Sequence, residues 1–75
     1  MPKLQRVSGR QAIKALERLG FEQIRQRGSH VILKKNTPEG EMGCVVPIHD
    51  KLAVGTLRGI LRLAKVSVED FIENL

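Results

Sequence analysis

The sequence predicts a small α+β domain in the order α-β-β-β-α, with a short additional helix at the C-terminal end. Two observations carry this prediction. Apolar residues recur at helical spacing near both ends of the chain, whereas the middle alternates polar and apolar residues between glycine-containing turns. With 75 residues, the chain has room for a single domain, residues 1–75. We expect a three-stranded antiparallel sheet with the helices packed on one face.

The first helix is predicted over residues 9–19. Ser8 and Gln11 have the spacing of a capping box, with Ser8 as the N-cap. Apolar residues follow at helical spacing: Ala12, Ile13, Leu16 and Leu19. Gly20 then stands where a left-handed C-terminal cap is expected, so the helix has both a start and a stop signal.

Residues 21–27 and 30–35 are predicted to form two strands joined by the two-residue turn Gly28–Ser29. The turn sets a register that pairs Arg27 with His30, Gln26 with Val31, Arg25 with Ile32, Ile24 with Leu33 and Glu22 with Lys35. Because strand side chains alternate, the face toward the helices would hold Ile24, Val31 and Leu33. The open face would hold Arg25, Arg27, His30, Ile32 and Lys34.

The rest of the chain completes the sheet and adds two helices. Turn residues at 36–40 lead to a third strand over 41–46, which Pro47 closes. Residues 49–52 are predicted to form a loop, and a second helix is predicted over 55–65. Ser67 opens the last short helix, whose apolar stripe is Val68, Phe71, Ile72 and Leu75.

Positive charge is concentrated in the first half of the chain. Residues 1–35 hold nine Lys or Arg against two Glu, whereas residues 36–75 hold four basic and six acidic residues. Charge segregated in this way can steer a polyanion such as nucleic acid toward one part of the surface. The alternative is a solvated basic face that keeps the protein soluble. With only two aromatic residues, the chain has few platforms on which bases could stack.

Several classes of protein are disfavoured by composition. The single cysteine, Cys44, cannot form an internal disulfide and suits a small apolar position in the third strand. Cys44, His30 and His49 do not have metal-ligand spacing, so we expect neither a metal nor another cofactor. No apolar run is long enough to cross a bilayer, and no signal peptide is recognisable at the start. The expected location is the cytoplasm.

His30 is the strongest candidate for a catalytic residue in the sequence. A histidine exchanges protons near neutral pH, and nearby cations favour its neutral, proton-accepting form. The same cations, Arg25, Arg27 and Lys34, would hold a phosphate. A base beside a phosphate clamp is the minimum needed to cleave RNA through its own 2′-hydroxyl. The alternative is an exposed strand histidine without a catalytic task.

Other polar residues have weaker assignments. His49 could protonate the leaving 5′-oxygen, or it could be a loop histidine that bonds to backbone. Lys35 is also a candidate for RNA contact. It ranks second because the predicted register turns it toward Glu22. Arg58 and Arg62 share one exposed helix stripe, which suits a solvated face, a phosphate track or a partner surface.

Several short blocks occur in an order that resembles the HicA family of toxin proteins. They are Ser8-Gly9, Leu16–Phe21, Gly28-Ser29-His30, Val46-Pro47-Ile48-His49, Gly55–Leu61 and Val68-Glu69-Asp70-Phe71. The ordered set covers essentially the whole chain. The sequence differs from the family pattern at Lys65, where relatives usually have a glycine ending the second helix, and in lacking an aromatic residue in the strand after His30.

This resemblance implies a fold like that of the double-stranded-RNA-binding domain. It also implies a type II toxin that acts as an endoribonuclease on messenger RNA, stops translation and is paired with a HicB-type antitoxin. The family's catalytic histidine falls on His30, and Gly28 and Ser29 match the rest of its motif. The alternative functions are a non-catalytic RNA-binding module of the same fold and a domain that chiefly binds an acidic protein partner.

Overall fold

The computed structural model describes residues 3–75 and contains three helices and a three-stranded sheet. The elements are α1 (Gly9–Arg18), β1 (Glu22–Arg27), β2 (His30–Thr37), β3 (Gly40–Pro47), α2 (Val54–Ala64) and α3 (Val68–Glu73). The strands are antiparallel in the order β1-β2-β3. The predicted α+β class and the layout like that of the double-stranded-RNA-binding domain are therefore confirmed. β2 and β3 extend beyond their predicted ends because a tight turn at Pro38–Glu39 joins them directly. No helix in residues 3–75 is long and apolar enough to cross a membrane.

The ends of α1 follow the predicted signals. The backbone N–H of Gln11 donates to Ser8 Oγ at 3.0 Å, and the backbone N–H of Ser8 donates to Gln11 Oε1 at 2.8 Å. Both halves of the capping box are therefore present, which satisfies N–H groups that the helix itself leaves unpaired. At the other end, Gly20 adopts a φ of +102°, a conformation that favours glycine.

The core lies between the sheet and the helices, on one face of the sheet. From the sheet, the core contains the side chains of Val31, Leu33, Cys44 and Val46. They pack with Leu16 of α1, Leu57 and Leu61 of α2 and Phe71 of α3. Each of the Val, Leu and Phe side chains contributes about 1.5–3 kcal/mol when buried. The opposite face of the sheet is left open, as the sequence predicts.

A β-bulge at Ile24 changes the predicted pairing of β1 with β2. Near the turn the pairs are as predicted: Arg27 with His30, Gln26 with Val31 and Arg25 with Ile32. Beyond the bulge Gln23 faces Leu33 and Glu22 faces Lys34. The predicted pairs of Ile24 with Leu33 and Glu22 with Lys35 were wrong, because a bulge inserts one extra residue into one strand. Ile24 does not pack in the core; its side chain is 54% exposed.

α2 ends at a residue with unusual backbone geometry. Lys65 has a φ of 59°, in the left-handed region that glycine ordinarily occupies at this position of a helix. The backbone N–H groups of Lys65 and Val66 donate to the carbonyls of Arg62 and Leu61, so the last turn is closed. A non-glycine residue in this conformation costs about 1–2 kcal/mol.

Cys44 provides a test of the core. Its side chain is 4% exposed, and burial raises the pKa of the thiol from 9.0 to about 11. We expect the folded protein to react with Ellman's reagent at pH 8 far more slowly than protein unfolded in guanidinium, since the thiolate is the reactive form. The unfolded thiol ionises at lower pH than the folded one, so the stability that Cys44 contributes is lost as pH rises from 9 to 11. Equal reaction rates for folded and unfolded protein would contradict the burial of Cys44.

Candidate active site

The open face of the sheet brings together the side chains that the sequence assigns to the candidate site. Residues directly opposite one another on neighbouring strands point to the same face, so the register defines rows across the sheet. The first row is Arg27, His30 and Pro47; the second is Arg25, Ile32 and Val45; the third is Glu22, Lys34 and Gly43. Arg25, Arg27, His30 and Lys34 therefore share one face, and all four are exposed.

His30 is the first residue of β2 and stands at a tight corner. Gly28 has a φ of +57°, and a Cβ added there would meet no atom within 4 Å. The turn therefore needs glycine for its backbone conformation rather than for space. The Gln26 side-chain amide donates to the carbonyl of Gly28 at 2.9 Å, which bonds the strand to its own turn. This local geometry sets the direction in which the chain enters His30.

The end of β3 and the residues after it are hydrogen-bonded to the turn that precedes His30. The backbone N–H of Ile48 donates to the carbonyl of Ser29 at 2.6 Å. The backbone N–H of Gly9 donates to the carbonyl of His49 at 2.8 Å, so the segment is bonded to the start of α1 as well. We call residues 47–49, with these two bonds, the clamp. It fixes the backbone position from which the His30 side chain projects.

Gly9 is part of this arrangement and was not among the candidate site residues of the sequence analysis. A Cβ built on Gly9 would lie 2.0 Å from the carbonyl oxygen of Pro47 and 2.9 Å from the Cα of Ile48. Real Cβ atoms do not approach that closely, so the backbones of α1 and the clamp meet only because residue 9 lacks a side chain. A glycine in the first turn of a helix, where it is an unfavourable residue, is the sequence signal that could have identified it.

His49 contributes its backbone to the clamp, whereas its side chain is exposed. It follows Pro47, the first-row neighbour of His30, by two residues. Its predicted role as a general acid stays a prediction.

Lys34 differs from the two arginines in its surroundings. Its ammonium group lies 3.3 Å from a carboxylate oxygen of Glu41, and Glu22 stands opposite it in the third row. An exposed ion pair of this kind contributes about 0–1 kcal/mol, so it can be exchanged for another anion. A phosphate must compete with two carboxylates at Lys34, which makes it a weaker anion site than Arg25 or Arg27.

Lys35 lies on the other face of the sheet from His30. Its Nζ donates to the carbonyl of Leu19 at 2.7 Å and stands 5.9 Å from the centre of the Phe21 ring. The stated reason for ranking it second, a pairing with Glu22, was wrong. The cation instead closes the C-terminal end of α1, where the helix dipole favours positive charge. The structure therefore does not bring Lys35 together with the other candidate residues.

The surface around His30 is open, which suits an extended ligand. A cavity of about 260 Å³ lies at the end of the sheet remote from His30, lined by Ile24 and by the balanced charges of Glu22, Lys34, Lys35 and Glu41. Such a neutral set does not favour an anion over other ligands. Among residues 3–75, no group of three or more His, Cys, Asp or Glu side chains is placed to hold a metal ion.

The chain matches a family of known proteins. Residues 9–66 match the family described as "HicA toxin of bacterial toxin-antitoxin". The matched region runs from the start of α1 to just beyond α2 and includes the turn, the clamp and the open face of the sheet. No curated protein sequence matches the chain.

Proposed function

Because the chain belongs to the HicA family of bacterial toxin–antitoxin toxins, we propose that it is a type II toxin that cleaves messenger RNA with His30 as general base. Cleavage of messenger RNA would stop translation, and it would take place in the cytoplasm. The observation that carries the proposal is the position of His30 beside Arg25 and Arg27 on an exposed sheet face. A proton acceptor and two cations at one surface are the groups that RNA cleavage without a metal needs.

The proposed reaction is an internal transfer within the RNA. The imidazole of His30 takes the proton of a ribose 2′-hydroxyl, and the 2′-oxygen attacks the adjacent phosphorus. The bond to the 5′-oxygen breaks, leaving a 2′,3′-cyclic phosphate on one product and a 5′-hydroxyl on the other. Arg25 and Arg27 offset the negative charge that builds up on the phosphoryl oxygens in the transition state.

The remaining candidates have supporting roles. Gly28 and Ser29 form the turn and expose its backbone to the RNA, while Lys34 supplies a weaker phosphate contact because Glu41 competes for it. The leaving 5′-oxygen needs a proton, and His49 is the candidate donor on this chain. Lys35 is bonded to Leu19 and takes no part.

The family implies a HicB-type antitoxin as the partner of this toxin. We propose that the antitoxin covers His30 and the arginines beside it. Acidic or polar groups on the antitoxin would match Arg25 and Arg27, and the bound antitoxin would exclude RNA sterically. The same positive surface would then serve substrate and inhibitor in turn.

The direct test of the activity is an RNA cleavage assay with purified protein and EDTA. Products that end in a 2′,3′-cyclic phosphate would support the proposed reaction. Binding of RNA without any product would contradict it and leave a non-catalytic RNA-binding module of the same fold. Cleavage that EDTA abolishes would contradict the metal-independent mechanism.

Reversing the charge of both arginines tests the shared surface. We expect the double variant Arg25→Glu, Arg27→Glu to bind single-stranded RNA at least about tenfold more weakly, because two phosphate contacts become repulsive. Antitoxin affinity should fall as well, and both can be followed by fluorescence anisotropy. The matched control is Arg58→Glu, Arg62→Glu, which changes the charge equally on an exposed stripe of α2. If antitoxin affinity did not change in the first variant, inhibition would have to act from another surface.

A further inference from the structure

The open face of the sheet carries apolar side chains as well as charged ones. Val45 of β3 is 45% exposed, and Ile32 of β2 is half-buried beside it in the second row. β-branched side chains turned away from the core contribute little to the stability of a domain this small. Their position next to His30 is therefore informative about what covers this face.

The first two rows both begin with an arginine on β1, Arg27 in the first and Arg25 in the second. On β3 the first row ends at Pro47, which is buried, and the second ends at Val45, which is 45% exposed. Neighbouring strands are about 4.8 Å apart, so cation and apolar residue are separated by about 10 Å. Along β2, His30 and Ile32 are two residues apart, about 7 Å. The surface is thus positively charged along β1 and apolar in the second row, at Ile32 and Val45.

Single-stranded RNA has the matching form, with charged phosphates on one side and bases on the other. We propose that Ile32 and Val45 seat the base of the nucleotide next to the one cleaved, while Arg25 and Arg27 hold phosphates along β1. This inference rests on the proposed function, because it takes the reacting ribose to lie at His30. Proteins that bind single strands on a sheet place bases against its side chains, and aliphatic side chains take that place here.

The surface that we propose binds RNA ends at the third row. There Glu22 and Glu41 flank Lys34, so the positive potential of the first two rows is not continued. Ile24 lies at this end, in the cavity lined by these charges. It is an exposed aliphatic residue of β1 beside the third row and outside the proposed path of the RNA, and it therefore offers a matched control.

The test measures whether binding depends on bases through these side chains. The His30→Ala protein, which should not turn over RNA, is titrated with a short single-stranded RNA and with a matched oligomer whose central nucleotides are abasic. We expect Val45→Thr to weaken binding of the RNA by about three- to tenfold, less than loss of an aromatic platform. The same substitution should leave binding of the abasic oligomer unchanged. Ile24→Thr should change neither, and Ile32→Thr should behave like Val45→Thr.

Three results would contradict the proposal that Ile32 and Val45 hold a base. In the first, Val45→Thr changes both oligomers equally; in the second, it changes neither. In the third, Val45→Thr and Ile24→Thr both weaken antitoxin binding and leave RNA binding unchanged, which would make the apolar residues a protein interface. The proposed nuclease function is tested separately, by measuring RNA cleavage by the protein that retains His30. Base-dependent binding without cleavage would support the seat and contradict the nuclease.

Discussion

Replacing His30 with alanine is expected to lower the rate of RNA cleavage by about 10²- to 10⁴-fold. This range is what a positioned general base ordinarily contributes. The exposed side chain can be removed without opening the core, so the variant should fold with nearly unchanged stability. The measurement is the cleavage rate with EDTA present, compared with the unchanged protein, after circular dichroism has established that the variant is folded.

The variant His49→Ala tests whether the two histidines have different roles in cleavage. If His49→Ala also slows cleavage while preserving RNA binding, His49 supplies the proton to the leaving oxygen. If His49→Ala has no effect, that proton comes from another donor, and the loss in His30→Ala stands alone. Equal cleavage by His30→Ala and the unchanged protein would contradict the proposed mechanism and make His49 the next candidate for the base.

The arrangement of the candidate site was largely predictable because its determinants are local. A two-residue turn at Gly28–Ser29 fixes which residues face each other next to it, and alternation then places Arg25, Arg27 and His30 on one face. The capping box and Gly20 set the limits of α1 in the same way. Each of these features depends on residues within a few positions of one another, which is the range over which a sequence pattern is informative.

Features that depend on distant residues were not predictable from the pattern. The bulge at Ile24 shifts the register only four residues before Gly28, and nothing in the local alternation distinguishes it from a regular strand. The bond from Lys35 to the carbonyl of Leu19 spans sixteen residues and removes Lys35 from the site. The ion pair of Lys34 with Glu41 joins two strands and weakens an anion site that looked equal to the arginines.

Replacing Gly9 with alanine is expected to destabilise the fold by about 3 kcal/mol or more, the upper end of what overpacking usually costs. The new methyl group would stand 2.0 Å from the Pro47 carbonyl oxygen, and a backbone atom cannot rotate away as a side chain does. The matched control is Gly59→Ala in α2, where an added Cβ meets no atom within 4 Å. That change should stabilise the helix by about 1 kcal/mol. Denaturant unfolding of the three proteins measures both effects.

The clamp makes the Gly9 variant informative about activity as well as stability. Its backbone bonds run from Gly9 to His49 and from Ile48 to Ser29, the residue before the proposed base. If the clamp positions His30, Gly9→Ala should slow cleavage even at a low temperature where the variant is fully folded, while RNA binding through Arg25 and Arg27 is retained. A variant as stable as Gly59→Ala would contradict the close contact at Gly9. A destabilised variant that cleaves RNA at the full rate when folded would show that the clamp supports the fold and does not position His30.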